Sequence, residues 1–179
     1  MNDQHFTDDS AARRESPREV RYIAESAETI DTLRSVLSNW PGYDVLVQVI
    51  DAFSELEVYL VGGVLRDVVL GLDHDPKDFD FCLGGEGVDA ALQRFNSCGL
   101  LRHGPFGSPR WFPPSDTGRY CDLIPIRRFQ NGLWQCEDII DALNQFDFTG
   151  NAIAYDLRTG GFFNPQNGRR DLLRRVMRA

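Results

Sequence analysis

The chain has 179 residues, of which 42% are hydrophobic and 26% charged, enough for one domain with a sizeable core and short for two. Its formal net charge of −8 gives no sign of the strongly basic balance of an avid nucleic-acid binder, and no apolar stretch reaches the roughly 18 residues that suggest a membrane span. The acidity is uneven: residues 1–60 carry 12 Asp and Glu against 5 Arg, whereas residues 61–179 carry 15 against 14 basic residues.

Residues 1–20 are polar, with Pro17 and mixed charges, and read as a disordered acidic tail. They lack the basic start and apolar run of a signal peptide, so the cytoplasm is the expected compartment. Residues 21–56 read as helices packed on the core. Ile30, Leu33, Val36 and Leu37 recur at helical spacing until Pro41 and Gly42, and Val45, Leu46, Val49, Ile50 and Phe53 make the stripe of a second helix over 43–54.

Residues 57–179 form the expected catalytic unit. A strand is predicted over 58–61, a Gly62-Gly63 turn, a helix over 64–70 and a strand over 79–83. A helix over 88–96, with Ala91, Leu92 and Phe95 inward, leads to strands over 110–112 and 120–126 joined by a Pro-rich turn. Helices over 137–145 and 171–177 complete the pattern. The four cysteines, 82, 98, 121 and 136, form no C-x-x-C pair and are expected to be reduced and partly buried. His5, His74 and His103 are assigned no role.

Asp78 and Asp80 alternate with Phe79 and Phe81, so a strand puts both carboxylates on one face and both rings on the other. Like charges so placed favour a hard divalent cation such as Mg²⁺, the alternative being a solvated acidic strand end. Gly62 and Gly63 let backbone N–H groups approach a triphosphate, and the following helix turns its positive end toward it. Asp122 stands between apolar neighbours, and an unpaired acid in a buried strand is costly unless coordinated. Its alternatives are an edge-strand acid facing water or one paired with Arg127 or Arg128.

The run Leu60, Val61, Gly62, Gly63, Arg66, Asp67, then Lys77, Asp78, Asp80, resembles the head domain of class II tRNA nucleotidyltransferases (CCA-adding enzymes) and bacterial poly(A) polymerases, in the polymerase-β-like superfamily. A second block, Asp147, Phe148, Thr149, Asn151 and Ala152, then Gly160, Asn164, Pro165, Gly168, Asp171 and Leu172, resembles the same family. The resemblance implies an α/β fold, a mixed, twisted sheet of about five strands with helices on one side, plus the N-terminal helices. It implies a stand-alone nucleotidyltransferase moving an NMP from an NTP to an acceptor hydroxyl, with an RNA (tRNA) 3′ end as the acceptor. Asp78, Asp80 and Asp122 would hold two Mg²⁺ ions, with Mn²⁺ as a substitute. Gly62, Gly63, Arg66, Asp147 and Asn151 would bind the nucleotide. Arg66 has a structural alternative, a salt bridge to a carboxylate at the helix surface.

Two departures from the pattern stand out. The arginine pair that precedes the family's Asp-Phe-Thr is Gln145-Phe146 here, so Arg110, Arg127 and Arg128 are candidates for the replacement charge, with Arg127 taken as nucleotide-binding. The helical neck with its base-selecting motif is not seen, nor are the family's body and tail domains, so a protein partner supplying them is a further expectation. Two other readings stay open: a small-molecule or protein acceptor, and a non-catalytic module that binds nucleotide or docks on a partner. No membrane partner is expected. The arginine-rich end, Arg169 to Arg178, is expected to cap the core.

Overall fold

A computed structural model describes residues 25–72, 75–104, 107–114, 118–128 and 135–179. The expected tail over 1–20, His5, His74 and residues 115–117 of the Pro-rich turn lie outside them. Helix α1 (Ala27–Ser38) is capped by Ser26, whose hydroxyl accepts from the Thr29 N–H at 3.1 Å, satisfying one of the donors a helix start leaves open. Helix α2 (Tyr43–Ala52) follows, then strand β1 (Leu56–Val61), helix α3 (Gly62–Val69), strand β2 (Asp78–Gly85) and helix α4 (Val88–Cys98). Strands β3 (Leu100–His103), β4 (Pro109–Phe112) and β5 (Tyr120–Pro125) come next. Helix α5 (Ile139–Leu143), strands β6 (Ala154–Asp156) and β7 (Phe162–Phe163) and helix α6 (Gly168–Leu173) end the order.

The sheet is mixed, as expected, with strand order β3-β4-β5-β2-β1-β6-β7 and one parallel pair, β2 with β5. Among the described residues it has seven strands rather than about five. The additions are β3, β6 and β7, of two to four residues each, too short to show an alternating pattern. Pairing makes them strands: Leu100 to His103 lie antiparallel to Phe112 to Pro109 across a hairpin.

The alternation predicted for β2 holds. Phe79 and Phe81 enter the larger core with Leu33, Leu46, Leu65 and Phe95 of α1–α4. Their rings lie 6.1 Å apart, with Trp40 5.0 Å from Phe79, and burial of each ring contributes roughly 2–3 kcal/mol. Helices α1–α4 therefore cover one face, and Leu172 of α6 joins the same core. The opposite face carries a smaller core, in which Tyr59, Val61 and Cys82 meet Ile139, Ala142 and Leu143 of α5. Asp78, Asp80 and Asp122 belong to this less covered face by strand alternation. Cys82, Cys121 and Cys136 are buried thiols, and burial followed by nearby Asp80 pushes Cys82 well above its usual pKa, so it is no nucleophile at neutral pH. Among the described residues no helix is long and apolar enough to cross a membrane.

Candidate active site

The register of three strands builds the site. Asp78 lies opposite Tyr120 and Asp80 opposite Asp122 on the parallel β2–β5 pair, while β4 places Arg110 opposite Asp122. β1 runs antiparallel on the other side, with Val61 opposite Asp80, so the turn that follows it lands on the carboxylates. Gly62 has φ +78°, and a Cβ there would stand 2.5 Å from the Asp80 carboxylate. Both backbone conformation and space demand glycine at this point. The Gly-Gly turn and the acidic pair thus share one end of the sheet. The start of α3, whose first N–H groups have no partner within the helix, stands beside them.

Asp80 is poorly compensated. Burial first, then the charges of Asp122 and Asp78, raise its pKa to about 6, with Arg110 opposing. Among the described residues its carboxylate receives no hydrogen bond, although its backbone is paired in the sheet. Asp78 is exposed, and the Tyr120 hydroxyl approaches it at 3.4 Å. The Tyr120 phenol is itself pushed up by burial and by Asp78, which keeps it a donor. These two acids suit one hard cation: they lie on one face, and one of them is held in a place where only added positive charge makes its ionised form comfortable.

Asp122 differs. Arg110 grips both of its oxygens, Nε to Oδ1 and Nη2 to Oδ2, each at 2.8 Å. Asp122 therefore has an arginine partner from the neighbouring strand, where the sequence had offered Arg127 or Arg128. Among the described residues no three His, Cys, Asp or Glu side chains converge as a metal-binding group.

The remaining candidates divide. Arg66 donates from Nε to its neighbour Asp67 at 2.7 Å and from Nη1 to the Asn151 side-chain oxygen at 3.1 Å, tying the two sequence blocks together across 85 residues. Gly63 is close to the same guanidinium. Asp147 is exposed on the turn four residues before Asn151. Arg127 is not brought to the site: it follows the far end of β5, beside Gly84 to Gly87, and Arg128 pairs with Asp89. Gln145 and Phe146, where the resemblance calls for arginines, turn inward, the amide of Gln145 donating to Cys136 Sγ at 2.9 Å and Phe146 packing on the smaller core.

The Asn151 turn is anchored from below. Thr149 Oγ1 donates to buried Asp171 at 2.8 Å, Arg178 bridges to the same carboxylate, and the Thr149 N–H bonds the Arg178 carbonyl at 2.9 Å. Gly168 passes so close to the Thr149 carbonyl that a Cβ would lie 1.7 Å from it. The arginine-rich end thus caps this part of the core through Arg178. Tyr120 was missed in the sequence, although its place two residues before Asp122 puts it on the same strand face.

No family model matches the chain. It is 33% identical over 132 residues to the multifunctional CCA protein of Xanthomonas oryzae pv. oryzae, covering 69% of this chain and 30% of that one. It is 30% identical over 136 residues to poly(A) polymerase I of Salmonella typhi, covering 68% and 29%. The structure of the Thermotoga maritima CCA-adding enzyme complexed with tRNA superposes with a TM-score of 0.58 at 25% identity, over 82% of this chain and 35% of that one. The chain has the head domain of a class II tRNA nucleotidyltransferase. It spans about a third of the length of the relatives it matches. In this head the glycine turn, the Asp-x-Asp strand and the Asn151 block all stand at one end of the sheet.

Proposed function

We propose that the chain transfers a nucleoside monophosphate from an NTP to an acceptor hydroxyl, with a tRNA 3′ end as the acceptor. The observation that carries this reading is the Asp78–Asp80 pair set against Gly62, an acid cluster short of positive charge beside a glycine turn shaped for phosphates. The CCA-adding relatives support the acceptor. Residues 57–179 are taken as the transfer unit and residues 21–56 as its packing helices.

Asp78 and Asp80 would hold a divalent cation of the Mg²⁺ type, which neutralises them and supplies Lewis-acid stabilisation of charge on the transferring phosphate. The Gly62 and Gly63 backbone at the start of α3 would bind phosphate oxygens through N–H groups. Arg66, held by Asp67 and Asn151, keeps the second sequence block against that turn. Tyr120 orients Asp78 through its hydroxyl. Asp147, exposed on the same block, would meet the nucleotide from the solvent side. Of the two ions expected from the sequence, the Asp78–Asp80 pair supports one.

The test is incubation of the purified chain with each labelled NTP, Mg²⁺ or Mn²⁺, and either tRNA lacking its 3′ end, total protein or a metabolite extract. Label in tRNA is the expected outcome. Label only in protein or metabolites would move the acceptor to the other readings, and no label in any fraction with metal and nucleotide present would overturn transfer.

A further inference from the structure

Three charged side chains lie in a row across neighbouring strands: Asp80 on β2, Asp122 on β5 and Arg110 on β4. The Arg110–Asp122 contact is a forked pair that occupies both carboxylate oxygens, a geometry that a guanidinium makes and an ammonium does not. Arg110 is held from a second side as well, its guanidinium carbon 4.0 Å from the centroid of the Tyr120 ring. Tyr120 in turn reaches Asp78. Both partners of the pair are largely shielded, with side-chain exposures of 22% and 18%, so separating them would leave a poorly solvated charge on each side. Two of the five N–H groups of Arg110 are spent on Asp122, and among the described residues the other three have no acceptor.

We propose that Arg110, fixed by Asp122 and Tyr120, is the second positive charge of this site: the protein binds a single divalent ion through Asp78 and Asp80, Asp122 binds Arg110 in place of a metal, and the unspent N–H groups of Arg110 bind the triphosphate of the incoming nucleotide. The charges balance on this assignment. Three carboxylates are neutralised by one guanidinium and one divalent ion before nucleotide arrives. It also gives the triphosphate a cation where Gln145 and Phe146 have turned inward. Arg110 is then a nucleotide-binding residue and Asp122 a positioning residue that acts through it.

The triphosphate part rests on the transfer reading above, so metal and nucleotide are measured separately. Mn²⁺ is titrated into the full chain without nucleotide and free Mn²⁺ is read by electron paramagnetic resonance. ATP binding is read by calorimetry with Ca²⁺ in place of Mg²⁺, and circular dichroism checks that each variant is folded. The wild type is expected to bind one Mn²⁺ per chain. Asp80→Asn should weaken Mn²⁺ by tenfold or more and Asp122→Asn by no more than about threefold, because only the first removes a ligand. Arg110→Gln should weaken ATP by about tenfold, the worth of one or two charge-assisted hydrogen bonds, with Arg110→Lys recovering part of the loss. Two Mn²⁺ per wild-type chain, an Asp122→Asn loss as steep as that of Asp80→Asn, or unchanged ATP affinity in Arg110→Gln would each overturn the inference while leaving transfer intact. A wild type that binds no Mn²⁺ would overturn the metal-dependent transfer reading itself.

Discussion

Asp80 and Asp171 are both shielded carboxylates, and the protein treats them in opposite ways. Asp171 is 1% exposed and has its own cation and donor, Arg178 and Thr149, which hold its pKa below the usual carboxylate value, the Arg178 hydrogen bond foremost. Asp80 has a glycine backbone against it and two other acids nearby, and its pKa rises to about 6. The first acid stabilises a turn and its needs are met within the fold. The second is left short of positive charge, which weakens the empty protein and prepares the place for a cation.

Removal of each acid should therefore separate activity from stability. The largest effect is expected for Asp78→Ala and Asp80→Ala, which should lower NMP incorporation by about 10³-fold or more while the circular dichroism spectrum stays native. Retained incorporation would break the contrast at its functional side. For Asp171→Asn the expectation reverses: a lower melting temperature, from loss of the charged partner of Arg178. An unchanged melting curve would make Asp171 no more structural than Asp80.

The pH dependence should also have opposite signs. The raised Asp80 pKa means the folded chain holds a proton that the unfolded chain has released between about pH 4 and 6. Stability from this group is therefore present below pH 4 and lost as pH rises to 6, on the order of 2–3 kcal/mol for about two units. Urea unfolding without metal should show that loss, and Asp80→Asn should abolish it. Asp171 has a lowered pKa, so its contribution is present above about pH 4 and lost only as the solution becomes more acid than that. Gly62→Ala should cost about 1–3 kcal/mol, from the positive φ and the approach to Asp80, in the same unfolding assay. The smallest effect is expected from Arg127→Ala, which should change nucleotide affinity by no more than about twofold, since its charge lies at the far end of β5 and is screened by solvent.

Much of this contrast was legible in the chain. The alternation of Asp78 and Asp80 with Phe79 and Phe81 fixes which side chains face the core, because a strand has period two. The boundaries of α1, α2 and α4 follow from apolar spacing and from Pro41, Gly42 and the Gly84–Gly87 turn. Strands β3, β6 and β7 did not show themselves, because a strand of two to four residues is defined by its partner and not by its own pattern. The three candidate replacement arginines could not be ranked from the sequence either. Arg127 is five residues from Asp122 and Arg110 is twelve, yet the nearer one in sequence is carried away along an extended strand, while the hairpin register brings the farther one into contact.

By itself the sequence determined the glycine turn, the pair of acids on one strand face and the apolar stripes that cover the other, because each is a local matter of backbone freedom or side-chain period. Only the tertiary structure decided that Asn151 meets Arg66, that Asp171 is satisfied and Asp80 is not, and that Asp122 is held by Arg110. Those outcomes depend on strand register and on how far each charge is withdrawn from water, and both arise only when distant segments pack together.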